Sequence, residues 1–197
     1  MRFMDVLLGR TKQKQANLDA LFSLSSAAVT LEAALGMKSS GEAAVSFKPA
    51  SGADFAATAT ELNELLAFAV KESGSTTRLD DDRYGYRWVV IADPQLEDLV
   101  TSAHVINSTL EDHGYGPQLL CSVFGFRGNP DEGEPGPAAH CYLVYLYKRG
   151  TFYPFAPLDG EHRDNELELR VRGALEGELP IEQELARWFA LWGIPID

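Results

Sequence analysis

Asn107-Ser-Thr-Leu-Glu-Asp-His-Gly-Tyr-Gly-Pro-Gln-Leu-Leu-Cys-Ser-Val-Phe-Gly-Phe126, followed by Leu143-Val-Tyr-Leu-Tyr-Lys-Arg-Gly-Thr-Phe-Tyr-Pro-Phe-Ala-Pro157, is the pair of stretches that decides the fold. The first reads as a helix that stops at Gly114 and a strand over residues 119–126. Residues 141–147 are apolar on both alternating faces, the pattern of an interior strand covered on both sides, or of a binding face. The Lys148-Arg149-Gly150 turn is short enough to return residues 152–155 antiparallel beside it. Pro154 confines that returning strand to an edge or a bulge, because it has no N–H to give.

Working outward, residues 86–91 are aromatic and β-branched, as a strand requires. Asp93 and Pro94 then supply a cap and a first-turn proline for a helix whose apolar face is Leu96, Leu99, Val100, Ala103, Ile106 and Leu110. Downstream, Asp164 or Asn165 can cap a helix through Leu167, Val171, Ala174 and Leu175, although Leu167, Leu169 and Val171 also fit a strand. Pro180 opens a predicted final helix with Ile181, Leu185, Trp188, Phe189 and Trp192 on one side and Gly193 at its end. Upstream, Asn17 and then Ser25 or Ser26 are candidate caps for helices ending at Gly36. Residues 41–48 look like a strand, and residues 61–70 carry Leu62, Leu65, Leu66 and Ala69 at helical spacing. This order gives an α+β fold, a mostly antiparallel sheet packed against helices. The chain divides into a basic arm over residues 1–16, an N-terminal subdomain or extension over 17–75, and the α+β domain over 76–197.

The apolar content of 45% fits a globular protein. No apolar run is read as a membrane span and none as a secretory signal, so the cytoplasm is the expected compartment. Cys121 and Cys141 sit in apolar strands and read as buried thiols. The net charge of −12 is uneven: residues 1–15 hold Arg2, Arg10, Lys12 and Lys14 against Asp5, which leaves 13 basic against 28 acidic residues in the remainder. A body so acidic repels phosphate, which argues against nucleic acid. The arm joins those four cations to Phe3, Val6 and Leu7, a combination suited to weak, salt-sensitive contact with an anionic membrane surface or with an acidic partner.

The chemical signals are sparse. Phosphate-binding loops, a zinc-protease helix and a nucleophile elbow are absent from the sequence. His104 and His113 lie on opposite helix faces, whereas His104 and Glu111 share one. His140 and Cys141 are strand neighbours that point apart. Asp80-Asp81-Asp82 lacks the rest of a calcium loop and reads as a charged turn before the next strand. No cofactor is expected. The best contact candidates are Lys148 and Arg149 with the rings of Tyr145, Tyr147, Phe152, Tyr153 and Phe155, a pattern that serves equally as an interaction hot spot or as an ordinary packed hairpin.

A resemblance sharpens this. Lys14-Gln-Ala-Asn-Leu-Asp-Ala-Leu-Phe22, Ser26-Ala-Ala-Val-Thr-Leu-Glu-Ala-Ala-Leu-Gly36, Asn107-Ser-Thr-Leu-Glu111, Tyr147-Lys-Arg-Gly-Thr-Phe-Tyr-Pro-Phe-Ala-Pro157, Arg163-Asp-Asn165, Arg187-Trp-Phe189 and Trp192-Gly193 are long, unusual words. With them the chain resembles, nearly end to end, the actinobacterial family of small proteins associated with phage shock protein A (PspAB-like). That resemblance implies a link to envelope stress and to the membrane-remodelling coat protein of that response. Residues 84–197 also look, by element order, like the YbjN and type III secretion chaperone-like superfamily, which implies a protein-binding adaptor.

The expectation is therefore a non-enzymatic accessory protein, cytoplasmic or peripheral to the inner face of the membrane. Its partner would be phage shock protein A or another membrane-stress component. A self-associating homodimer built through the aromatic C-terminal segment is the alternative. An uncharacterised hydrolase, built where His104 meets acidic residues, is the third reading.

Overall fold

The computed structural model describes residues 17–49, 64–68, 74–128 and 139–196. Six strands form one antiparallel sheet: β1 (Met37–Phe47), β2 (Thr76–Asp81), β3 (Arg87–Ala92), β4 (Leu119–Gly128), β5 (Ala139–Leu146) and β6 (Thr151–Phe155), in the order β2-β3-β1-β4-β5-β6. The short β7 (Pro157–Leu158) and β8 (His162–Arg163) pair separately. The helices are α1 (Ser23–Leu35), α2 (Leu96–Leu110) and α3 (Asn165–Leu175), and residues 64–68 are also helical. The α+β reading stands. Strand β1, from the first quarter of the chain, lies between β3 and β4 at the middle of the sheet.

Register assigns the two faces of the sheet. Val89, Val45, Ser122, Tyr145 and Phe152 form one row across five strands. This face meets the helices: Asn107 of α2 donates Nδ2 to the Ser122 hydroxyl, and the Tyr145 hydroxyl donates to the Asn17 carbonyl. The predicted α2 face of Leu99, Val100, Ala103, Ile106 and Leu110 is fully buried there. Next to it Ser75 donates to Asp93 and shares a hydrogen bond with Ser102, so these buried polar groups are satisfied side chain to side chain. Asp93 accepts from the Gln95 N–H, and the helix itself starts at Leu96.

The N-terminal helices differ from the sequence reading. Leu18–Phe22 is a tight 3₁₀ segment that runs directly into α1, and Asn17 makes no side-chain cap. Together Leu18–Leu35 is long and apolar enough to span a bilayer by length and composition, contrary to expectation. The fold uses it otherwise: Leu21, Leu24, Ala27 and Leu31 are buried in the core against the sheet. Gly36 ends α1 in the left-handed conformation, as read. Strand β1 begins at Met37 rather than residue 41, and a register shift between Ser39 and Ala43, with Gly41 at φ +82°, places a bulge inside it.

Two further corrections concern the acidic run and the C-terminus. Asp80 and Asp81 belong to β2, a polar edge strand the sequence did not announce, and only Asp82 enters the turn. The helix predicted from Pro180 does not form. Ile181 bridges in parallel to Phe152, with the Phe152 N–H donating to the Pro180 carbonyl and the Glu182 N–H to the Phe152 carbonyl. Residues 180–182 thus extend the β6 edge, and only Leu185–Arg187 makes a helical turn. Backbone groups held by a sheet edge are lost to a helix.

Two glycines separate packing from backbone effects. A Cβ on Gly128 would lie 2.8 Å from the Gly36 carbonyl oxygen, so the β1–β4 pair must part to admit it. Gly173 is an exposed interior residue of α3 with open space around it. Urea unfolding is expected to show Gly128→Ala destabilised by about 1–3 kcal/mol and Gly173→Ala stabilised by about 0.5–1 kcal/mol.

Candidate functional site

The sheet's other face presents Ser46, Trp88, Cys121 and Leu146 in one row and Val90, Ala44, Val123, Val144 and Tyr153 in the next. The C-terminal strap, residues 176–196, crosses it. The Tyr153 hydroxyl donates to the Phe189 carbonyl, the Tyr142 hydroxyl to the Ile196 carbonyl, and Arg78 to the Pro195 carbonyl.

Two buried carboxylates set the path of the strap. Glu182 is 2% exposed and accepts from the Arg149 guanidinium, the Thr151 hydroxyl and the Glu184 N–H. Its carbonyl accepts from the Trp188 indole N–H, which folds the chain back on itself. Burial pushes the Glu182 carboxyl up, but Arg149, the Glu184 N–H and Thr151 together outweigh it and hold the group below the usual glutamate value. Glu168 of α3, equally buried, accepts from the Ala156 N–H and from both Nε and a terminal nitrogen of Arg163 at 2.9 Å. The other terminal nitrogen of Arg163 donates to the Trp188 carbonyl. Helix α3 itself starts as read, with Asp164 accepting from the Leu167 N–H.

The strap does not close over the sheet. Between it and the β2–β3 turn runs a groove of about 720 Å³, floored by Leu120, Cys121 and Leu146. One wall carries Tyr84, Tyr86 and Trp88; the other carries Phe189 and Trp192. Tyr84 is 49% exposed and Phe189 59%, so each lip of the groove ends in a solvent-facing ring. The β2–β3 turn is built by Asp82, whose carboxylate accepts from the Tyr84 and Tyr86 N–H groups and from the Trp88 indole. Asp81 is held by a bidentate Arg87, which keeps it below the usual carboxylate range, and Asp80 accepts from Arg78. The acidic run is thus the end of β2 and the start of its turn, and each of its three carboxylates accepts a hydrogen bond. No group of three or more metal-ligating side chains occurs among the described residues.

The structure divides the hairpin candidates. Tyr145, Phe152 and Phe155 are fully buried, Tyr147 is nearly so, and Tyr153 lies beneath the strap. Burial pushes the Tyr145 phenol up to about 12, with the Asp19 charge adding to it. Lys148 and Arg149 are exposed at the turn, where Lys148 donates to the Pro117 carbonyl and Arg149 to Glu182. Arg2, Phe3, Val6, Leu7, Arg10, Lys12 and Lys14 lie outside the described residues. His104 packs against Phe22 with the rings tilted and 5.0 Å apart, and its Nε2 lies 3.9 Å from Asp19, away from the groove. Glu111 instead raises the Tyr147 phenol, second to burial. Cys121 lines the groove as a thiol pushed up to about 12 by burial, and Cys141, also free, points to the opposite face.

The model of the family described as PspA associated protein B matches residues 1–196. The chain belongs to that family. No curated protein and no solved structure matches it. In this PspA associated protein B family member the groove was missed at the sequence level because one wall was read as helix. The other wall has a signal there: Tyr84, Tyr86 and Trp88 alternate with Gly85 and Arg87, the period of a strand with one aromatic face.

Glu182 makes the strap acid-sensitive. Its folded value is depressed, so its stabilisation is fully present above the ordinary glutamate value of about 4.3 and is lost as pH falls through the lower folded value. Glu182→Gln is expected to lower the urea midpoint at pH 7, and the gap to wild type should close as the pH drops through that window. A gap that stays constant with pH would assign the effect to packing alone.

Proposed function

We propose that this protein is a non-enzymatic accessory or adaptor of the phage-shock response, binding PspA or a membrane-stress component associated with it. Family membership over residues 1–196 is the observation that carries this reading, because the family is described as PspA-associated. The groove supports it: exposed aromatic rings beside an apolar floor suit a protein contact, where burying a few anchors supplies most of the affinity. The engagement of the acidic run, of Glu168 and of Glu182 in structural bonds also favours binding over catalysis.

The place of action is the cytoplasm, at or near the inner face of the membrane. The basic arm of Arg2, Arg10, Lys12 and Lys14 with Phe3, Val6 and Leu7 supplies a second, weaker contact to anionic lipid or to the partner. Contact through such an arm is reversible, because a small apolar patch and a few cations do not anchor a protein alone.

Co-purification of the tagged chain under gentle detergent, with and without residues 1–15, tests both statements. PspA or its membrane partners are expected to be enriched with the full chain. Loss of enrichment on truncation assigns the recruiting contact to the arm; retained enrichment assigns it to the folded body. A partner-free monomer from both forms would overturn the adaptor reading, and a concentration-dependent dimer would replace it with self-association.

A further inference from the structure

Two lysines stand beside the groove, bonded to the consecutive carbonyls of Pro117 and Gln118. The Lys48 N–H donates to the Gln118 carbonyl, and the Lys148 ammonium donates to the adjoining Pro117 carbonyl at 2.9 Å. Lys48 projects over the Tyr86 ring, 5.7 Å from its centroid, and Tyr86 lines the groove. Lys148 flanks a smaller hollow that shares Leu120, Leu146 and Phe189 with the groove and so continues it. The cations beside them are already matched: Arg149 by Glu182, and Arg187 by Glu184 at 2.5 Å. Lys48 and Lys148 are exposed and form no salt bridge among the described residues. On a chain of net charge −12, two cations unpaired among the described residues, beside an apolar trough, define a ligand with opposite charge at one end.

We propose that the groove beside the strap seats an amphipathic segment of the protein partner, apolar where it meets Tyr84 and Phe189 and acidic where it passes Lys48 and Lys148. This rests on the adaptor reading and deepens it by naming the contact and its chemistry. The two exposed rings grip the apolar side, and the two lysines fix the direction in which the segment lies. Bare apolar area would accept either direction, so the charge pair supplies the orientation.

The test uses full-length chain, full-length PspA of the same organism, and labelled 18-residue peptides tiling PspA, read by anisotropy and by the fluorescence of Trp88 and Trp192. Peptides with an apolar stripe and acidic residues are expected to bind, less tightly as salt rises. Lys48→Glu with Lys148→Glu should weaken them about tenfold or more at low salt. Replacing the acidic residues of the peptide by lysine should recover binding to that double variant. Tyr84→Ala with Phe189→Ala should weaken binding at all salt concentrations. All four substitutions are at exposed positions, and unchanged circular dichroism and urea midpoint confirm the fold. If full-length PspA binds wild type and both double variants equally, the groove assignment is overturned and the association stands. If wild type binds neither PspA nor any peptide, the association fails and the proposed occupant with it. Binding only to anionic phosphatidylglycerol vesicles would overturn a peptide occupant in favour of lipid.

Discussion

A carboxylate taken out of water must find a cation and enough hydrogen-bond donors, or its desolvation is too costly to sustain. Glu182 and Glu168 impose that condition on the last third of this chain. Glu182 finds Arg149 and Thr151 on the β5–β6 turn and at the start of β6, which fixes where the strap leaves the sheet edge. Glu168 finds Arg163, which in turn reaches the Trp188 carbonyl and fixes where the strap begins to cross. Apolar packing alone does not choose among neighbouring registers of a strap whose regular structure is limited to isolated bridges and one helical turn. Two charge pairs joined through the single residue Trp188 do choose one.

That choice shapes the exposed surface. The helical face of the sheet is covered by α1 and α2, whose apolar stripes are wide enough to carpet it. The opposite face carries Trp88, Val90, Val123, Val144 and Tyr153, an equally apolar set, but among the described residues one irregular crossing covers it. A strap is narrower than a helix layer, so part of the trough stays open, and its lips end in Tyr84 and Phe189. The groove is thus a consequence of covering a two-sided sheet with helices on one side and a strap on the other.

Much of the scaffold was legible because its elements have a single period. The α2 stripe from Leu96 to Leu110, the Asp164 cap of α3 and the Lys148-Arg149-Gly150 turn all depend on residues near in sequence. The C-terminal segment misleads because Ile181, Leu185, Trp188, Phe189 and Trp192 have helical spacing, while the bonds that override it join Pro180 and Glu182 to Phe152, 28 and 30 residues earlier. Strand β2 was invisible for the opposite reason: Thr76–Asp81 is polar, lies at the sheet edge and takes its stability from pairing with β3. The hairpin rings show the limit for sites. Sequence marks Tyr145 and Phe152 as aromatic, but only the register reveals that they face the helices, while Tyr153 faces the strap.

The same geometry explains why the groove's cations differ from one another. Arg149 and Arg187 have planar, multi-donor heads, and the strap uses them as ties, Arg149 gripping Glu182 through two nitrogens and Arg187 reaching Glu184 through Nε. Lys48 and Lys148 are point charges on flexible stems, resting on an aromatic ring and on a carbonyl, neither of which cancels a charge. Exchanging the roles would leave a flexible ammonium to hold a buried carboxylate and a fork-shaped donor facing water with nothing to grip. Structural cohesion and surface charge are therefore divided between two residue types within one short turn. Because Lys148 and Arg149 are consecutive, whatever moves the turn acts on the strap anchor and the groove mouth together.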